Sequence, residues 1–138
     1  MSKLLTCGLV AVAVSVWAAQ AMASTAVASP AVVTVTAGKP SAFAFTLSTK
    51  TIKGGFGPGG LAVTFKVTNK GAFPHTFKVC SSSKGGDANA CAGKGTPSIG
   101  PGKSASLMIM FSKAGTYEYL CTVPGHAAAG MKGELRVT

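Results

Sequence analysis

A thiol, an imidazole and a thioether stand within eleven residues near the end of the chain, in Cys121-Thr-Val-Pro-Gly-His126-Ala-Ala-Ala-Gly-Met131. Pro124, Gly125 and Gly130 break any regular element there, so the three side chains share one loop. Thiolate and imidazole are strong donors to soft, redox-active ions, and a thioether is a weak, distant one. Two imidazoles, a thiolate and a long thioether contact are the donor set of a mononuclear electron-transfer copper site. The second imidazole has a single candidate, because the only other histidine is His75. Structural zinc closes its shell with a fourth strong ligand and catalytic zinc keeps a water position, so a thioether suits copper better. Calcium and magnesium need oxygen donors, and the loop carries no carboxylate.

Each of these residues has an ordinary explanation on its own. An inward histidine is commonly a hydrogen-bonded core residue, a buried cysteine an inert small hydrophobe, and a methionine a gap-filler. Met108 and Met110 are read as gap-fillers. The metal reading gains its force from the joint pattern: an unpaired thiol, then His126 and Met131 at five-residue steps, and an inward His75 far upstream.

The remaining chain must bring His75 to that loop. Its texture is short alternating segments separated by Gly, Pro, Asn and Ser, which predicts an all-β sandwich of about 7–8 strands without repeats or a second domain. Val33 and Val35 alternate with Val32, Thr34 and Thr36. Phe43, Phe45 and Leu47 alternate with small residues in a second segment. Residues 50–60 form a glycine-rich connection that resembles no phosphate-binding loop, with Phe56 tucked inward. Leu61, Val63, Phe65 and Val67 make the clearest strand, and Asn69-Lys70-Gly71 its turn. Phe73, His75, Phe77 and Val79 then share one parity, with Pro74 marking an edge, bulge or loop entry. Ala105, Leu107, Ile109 and Phe111 alternate next, followed by Tyr117, Tyr119 and Cys121, and lastly by Met131, Gly133, Leu135 and Val137. Period-two alternation therefore predicts that His75, Cys121 and Met131 each occupy the buried register of a separate strand.

The start of the chain has a different character. Lys3, an apolar run from Leu4 to Ala19 and the small-x-small Ala21-Met22-Ala23 follow the order of a secretory signal peptide. The expected organisation is a signal over residues 1–23 and one domain over 24–138, in a periplasmic or otherwise extracytoplasmic location. The competing reading is an uncleaved membrane anchor over Leu4 to Ala23. Cys7 lies too early in the segment for lipid attachment and would leave with the signal.

All but one of the 13 Lys and Arg remain after residue 23, against 3 acidic groups, Asp87, Glu118 and Glu134. Such a balance favours rapid encounter with acidic protein surfaces. Nucleic acid does not fit, because the lysines are scattered singly and the chain is exported. Three cysteines survive removal of the signal. An oxidising compartment lets Cys80 and Cys91 pair across the polar segment between them, contributing roughly 3 kcal/mol on the chain-entropy account. Cys121 is then the one free thiol, and a metal explains it.

With these residues in place, Gly115-Thr-Tyr-Glu-Tyr-Leu-Cys-Thr-Val-Pro-Gly-His-Ala-Ala-Ala-Gly-Met-Lys-Gly133 resembles the copper loop of the cupredoxins, the plastocyanin/azurin group of blue-copper proteins. The four-residue gaps on either side of His126 are similar to the auracyanin and rusticyanin types rather than to plastocyanin, whose Cys–His gap is shorter. The resemblance is strong from about Leu61 to Thr138 and architectural over residues 31–49. It implies a Greek-key sandwich holding one type 1 copper, with His75, Cys121 and His126 in a trigonal plane and Met131 axial. It also implies that the edge of His126 reaches the surface in an apolar patch, for which Val123, Pro124 and Ala127 to Ala129 are the rim candidates.

Two departures stand out. Many cupredoxins have asparagine directly after the first histidine, and Thr76 stands there instead. A Thr76 N–H bond to the Cys121 sulfur would persist, but the side-chain brace must differ. Leu120 replaces the exposed tyrosine that plastocyanins carry before the copper cysteine, which argues against a plastocyanin-like role with a basic partner.

The expected function is single-electron shuttling by a monomer between redox proteins with acidic surfaces, of the cytochrome, oxidase or dehydrogenase class. A copper carrier is the alternative, expected to show an exposed, methionine-rich, exchangeable site. An enzyme is not expected, since both histidines are already assigned and no second copper site can be built within the chain.

Overall fold

A computed structural model of the protein describes residues 29–81 and 91–138. The expected signal segment and residues 82–90 of the loop between Cys80 and Cys91 lie outside the described residues. Nine strands appear among the described residues: β1 (Ala31–Ala37), β2 (Phe45–Leu47), β3 (Thr51–Ile52), β4 (Leu61–Asn69), β5 (Lys78–Cys80), β6 (Gly93–Gly95), β7 (Ser104–Phe111), β8 (Gly115–Leu120) and β9 (Lys132–Val137). They form a four-stranded sheet in the order β2-β1-β4-β7 and a five-stranded sheet in the order β3-β9-β8-β5-β6. The expected all-β architecture is present, with one or two more strands than the alternation predicts. The extra ones are short: β3 has two residues and β6 three, too few to show a period.

Alternation produces the core directly. Val63, Phe65 and Val67 of β4, Leu107, Ile109 and Phe111 of β7, and Val33 and Val35 of β1 are buried from one sheet. Tyr117, Tyr119, Leu135 and Val137 meet them from the other. Phe77 joins the two layers, with its ring centroid 5.2 Å from Phe45, 5.3 Å from Phe65 and 5.5 Å from Tyr119. This cluster anchors the chain two residues beyond His75. Burying a phenylalanine of this kind is worth roughly 2–3 kcal/mol.

Several side chains depart from the expected faces. Met108 and Met110 are 59% and 47% exposed, so they fill no gap in the core. They hold the outward parity of β7 between the buried Leu107, Ile109 and Phe111, and the alternation itself puts them there. Phe56 is exposed rather than tucked inward, and Phe73 is half exposed. Phe43 precedes β2 and packs toward the cluster of Cys121 and Met131. The Cys80–Cys91 disulfide is formed, with the Cα atoms 5.5 Å apart, and Cys121 is free and buried.

Candidate metal centre

The three residues expected on strands lie just beyond strand ends. Cys121 follows β8, Met131 precedes β9, and His75 makes an isolated bridge to Ile99. The expected burial holds, with His75 1%, Cys121 0% and Met131 0% exposed. The expected strand membership does not, because each chain turns out of its ladder where the side chain must face a neighbouring loop.

The loop from Cys121 to Met131 is closed by its own backbone. Cys121 N–H donates to Met131 O at 3.0 Å, and Met131 N–H donates to His126 O at 2.9 Å. His126 N–H bonds Val123 O, Ala129 N–H bonds Gly125 O, and Gly130 N–H bonds Ala127 O. The ten-residue step from thiol to thioether is thus a hydrogen-bonded ring that carries Cys121, His126 and Met131. The buried side chains of Cys121 and Met131 pack together with Ala37.

His75 is held by residues distant in sequence. Its N–H donates to Ile99 O at 3.0 Å, and Ile99 N–H returns a bond at 2.7 Å. Asn69 is fully buried at the end of β4. Its Nδ2 donates to Phe73 O at 2.7 Å and to Ile99 O at 2.8 Å, while its Oδ1 accepts from Gly71 N–H at 2.8 Å. That one amide spans the whole turn leading to His75. Reading Asn69 as a turn residue misses this role. The available signal was parity, since Asn69 continues the inward series Leu61, Val63, Phe65, Val67. Gly38 and Gly71 meet backbone to backbone beside His75: a Cβ on Gly38 would collide with Gly71, and one on Gly71 would lie 3.1 Å from His75 Nε2. Gly38 also has φ +77°, so a side chain there is excluded by conformation as well as by space.

These two arms bring three donors together. His75 Nδ1 lies 3.2 Å from His126 Nδ1, and Cys121 Sγ lies 3.6 Å from His126 Nδ1. The three ligand atoms all fall within 4.8 Å of one another. Donors sharing one ion at ~2.0–2.3 Å each, spread in a plane, stand about 3.5–4 Å apart, so the spacing and chemistry of this set fit a copper ion. Burial, and after it the charge on His126, hold the His75 pKa below the ordinary histidine value. His75 is therefore in its neutral, donating form at neutral pH.

Thr76 accounts for the missing asparagine. Its N–H donates to Cys121 Sγ at 3.4 Å, and its hydroxyl lies 3.7 Å from the same sulfur. The hydroxyl also accepts from Thr122 N–H at 2.7 Å and lies 2.7 Å from Thr122 Oγ1. The brace between the two arms is built from two threonines in place of an amide.

Around His126 the rim differs from expectation. Ala127 is fully buried, packed with Leu120 and the disulfide, whereas Pro124, Ala128 and Ala129 are exposed. The rim also has an aromatic part: Phe43 meets the His126 ring edge-on at 4.9 Å and stacks on Phe73 at 6.1 Å.

Residues 29–138 match the family of copper-binding proteins of the plastocyanin/azurin type. The chain belongs to that family. Its cofactor is copper, in agreement with the donor chemistry of the site. The protein is 49% identical over 43 residues to auracyanin-B of Chloroflexus aurantiacus, a match covering 31% of this chain and 18% of auracyanin-B. It is 51% identical over 39 residues to the copper-resistant cuproprotein CopI of Pseudomonas aeruginosa, covering 28% of this chain and 22% of CopI. The matched segments thus span about a fifth of the length of these curated relatives. Among solved structures, auracyanin B superposes with a TM-score of 0.62 at 28% identity, covering 80% of this chain and 91% of that one. Rusticyanin from Thiobacillus ferrooxidans gives 0.59 at 26% identity, covering 78% and 76%. The cupredoxin fold and the resemblance of the loop to these two types are thereby established.

Proposed function

We propose that this cupredoxin is an exported, monomeric electron shuttle in which His75, Cys121 and His126 would hold copper, with Met131 as a weaker fourth donor. The observation that carries the reading is the convergence of three strong donors at a buried site, with one of them, His126, lying against a surface aromatic stack. When bound, copper supplies one-electron chemistry by passing between Cu(I) and Cu(II). The chain supplies the rest. His75 and Cys121 are shut away from water, and Thr76 N–H and its hydroxyl face the sulfur and stabilise its negative charge. The closed 121–131 ring and the Asn69 clamp keep the donors from moving between oxidation states, so little reorganisation opposes transfer.

His126 is partly exposed, and beside it Phe43 and Phe73 form an apolar port. Lys39 and Lys70 are exposed on the same two loops, which lie against each other where Gly38 meets Gly71. The described acidic groups, Glu118 and Glu134, face each other across β8 and β9. This distribution fits a redox partner with an acidic surface and a small contact, as transient redox complexes have. Among the described residues, His75, Cys121 and His126 form the one cluster of three metal-donor side chains. Rapid mixing of the reduced holoprotein with an acidic cytochrome tests the reading. Second-order transfer should slow as salt rises, and Phe73→Ala should slow it about tenfold with the visible spectrum unchanged. Rates indifferent to both would refute the proposed port.

Copper delivery is the second reading, favoured by the CopI relatives and by the exposed Met108 and Met110, two thioethers on one outward face of β7. It predicts that Ag(I) perturbs both methionine methyl signals in NMR while the buried site is occupied. The shuttle reading predicts no such change.

A further inference from the structure

The Cys80–Cys91 disulfide stands apart from the main core. With Leu120 and Ala127 it forms a small buried cluster of its own, the four residues being 1%, 7%, 0% and 0% exposed. Leu120 immediately precedes Cys121, and Ala127 immediately follows His126. Each of these two donors is thus flanked by a residue packed in the cluster of the bridge. The strand that ends in Cys80 also pairs with β8 through Lys78 and Leu120, so it holds the main chain entering the donor loop. Beyond the bridge lies β6, the edge of its sheet, held to β5 by three residue pairs. The covalent link fixes this edge hairpin against the back of the 121–131 loop.

We infer that the Cys80–Cys91 bridge is a positioning element of the copper centre, acting through Leu120 and Ala127 on Cys121 and His126. Its opening by a dithiol loosens that loop and speeds loss of the metal. The inference rests on the copper reading given above. The opening is a two-electron step: the dithiol is oxidised to its own disulfide, and its two electrons and two protons convert the bridge into the thiols of Cys80 and Cys91. In an oxidising compartment the bridge stays closed and the metal is retained. Where dithiols reach the protein, the same bond becomes a release.

A structural staple would stabilise every strand equally, whereas a positioning element acts first on the loop it touches. Hydrogen exchange separates the two in metal-free protein, before and after reduction with dithiothreitol. Amides of residues 121–131 should exchange about tenfold faster after reduction, while those of β4 hold their protection. Equal acceleration in β4 and in the loop, or no change in the loop, would overturn the inference. The Cys80→Ser/Cys91→Ser variant, loaded with Cu(I), should pass its metal to a colorimetric chelator about tenfold faster than wild type, the scale on which supporting residues alter metal sites. An unchanged release rate would overturn the inference too. If this variant does not fold, exchange in the reduced wild-type chain still decides. A wild-type protein that binds no copper would defeat the functional reading instead, and the exchange result would stand apart from it.

Discussion

The two arms of the centre are built by opposite means. The arm from Cys121 to Met131 is local: eleven consecutive residues supply three of the four proposed donors, and backbone bonds within the segment close it. The arm that carries His75 is assembled from afar. Asn69, Ile99, Gly38 and Phe77 come from different parts of the chain, and none of them donates to the site itself. The contrast teaches that donor identity is set by short-range sequence, whereas the placement of His75 also depends on contacts to Ile99, 24 residues from His75 and 30 from Asn69.

The largest expected effect from breaking this contrast is at Asn69. Asn69→Ala removes the two Nδ2 bonds to Phe73 O and Ile99 O and the Oδ1 acceptor of Gly71 N–H, at a cost of about 3 kcal/mol. Urea unfolding of the metal-free protein should show that loss, and copper affinity should fall with it. The contrast sharpens if hydrogen exchange within 121–131 stays close to wild type while the turn before His75 is exposed. A variant of wild-type stability would show that the clamp is not what holds this arm.

Thr76→Val comes next, cutting the hydroxyl contacts to Thr122 and to the Cys121 sulfur while keeping the backbone bond. About 1 kcal/mol of stability should be lost. The reduction potential should rise or fall measurably, because hydrogen bonding at the sulfur tunes it. An unmoved potential in voltammetry would leave the backbone N–H as the only Thr76 group that matters.

The smallest effect is the response of the metal-free protein to acid. The folded state holds the His75 pKa below its ordinary value, so the unfolded chain takes up that proton first as pH falls. Stability is therefore intact above about 6.5 and declines as pH drops below it. Urea midpoints between pH 8 and 5 should show the decline in wild type and a shallower one in His75→Gln. A midpoint that rises on acidification would contradict the burial of a neutral His75.

Legibility followed the same division. Period-two alternation located the core of β1, β4, β7, β8 and β9, and donor chemistry on one Gly/Pro loop singled out Cys121, His126 and Met131. The alternation also selected His75, although His75 leaves the ladder where Pro74 cannot donate to it. Three things escaped. Asn69 reads as a turn former, because its three partners are backbone groups that no pattern displays. Alternation cannot say where a strand starts, so it puts Phe43 in a strand and hides its contact with His126. Ala127 reads as surface, because a three-alanine run has no polarity to show which one turns inward.

Visible absorption of the Cu(II)-loaded protein tests the central claim most directly, comparing wild type with Cys121→Ser. A thiolate bound to copper gives an intense visible charge-transfer band in wild type, and the serine variant loses it while remaining folded. A colourless Cu(II)-loaded wild type, or a band that survives in Cys121→Ser, would contradict the account.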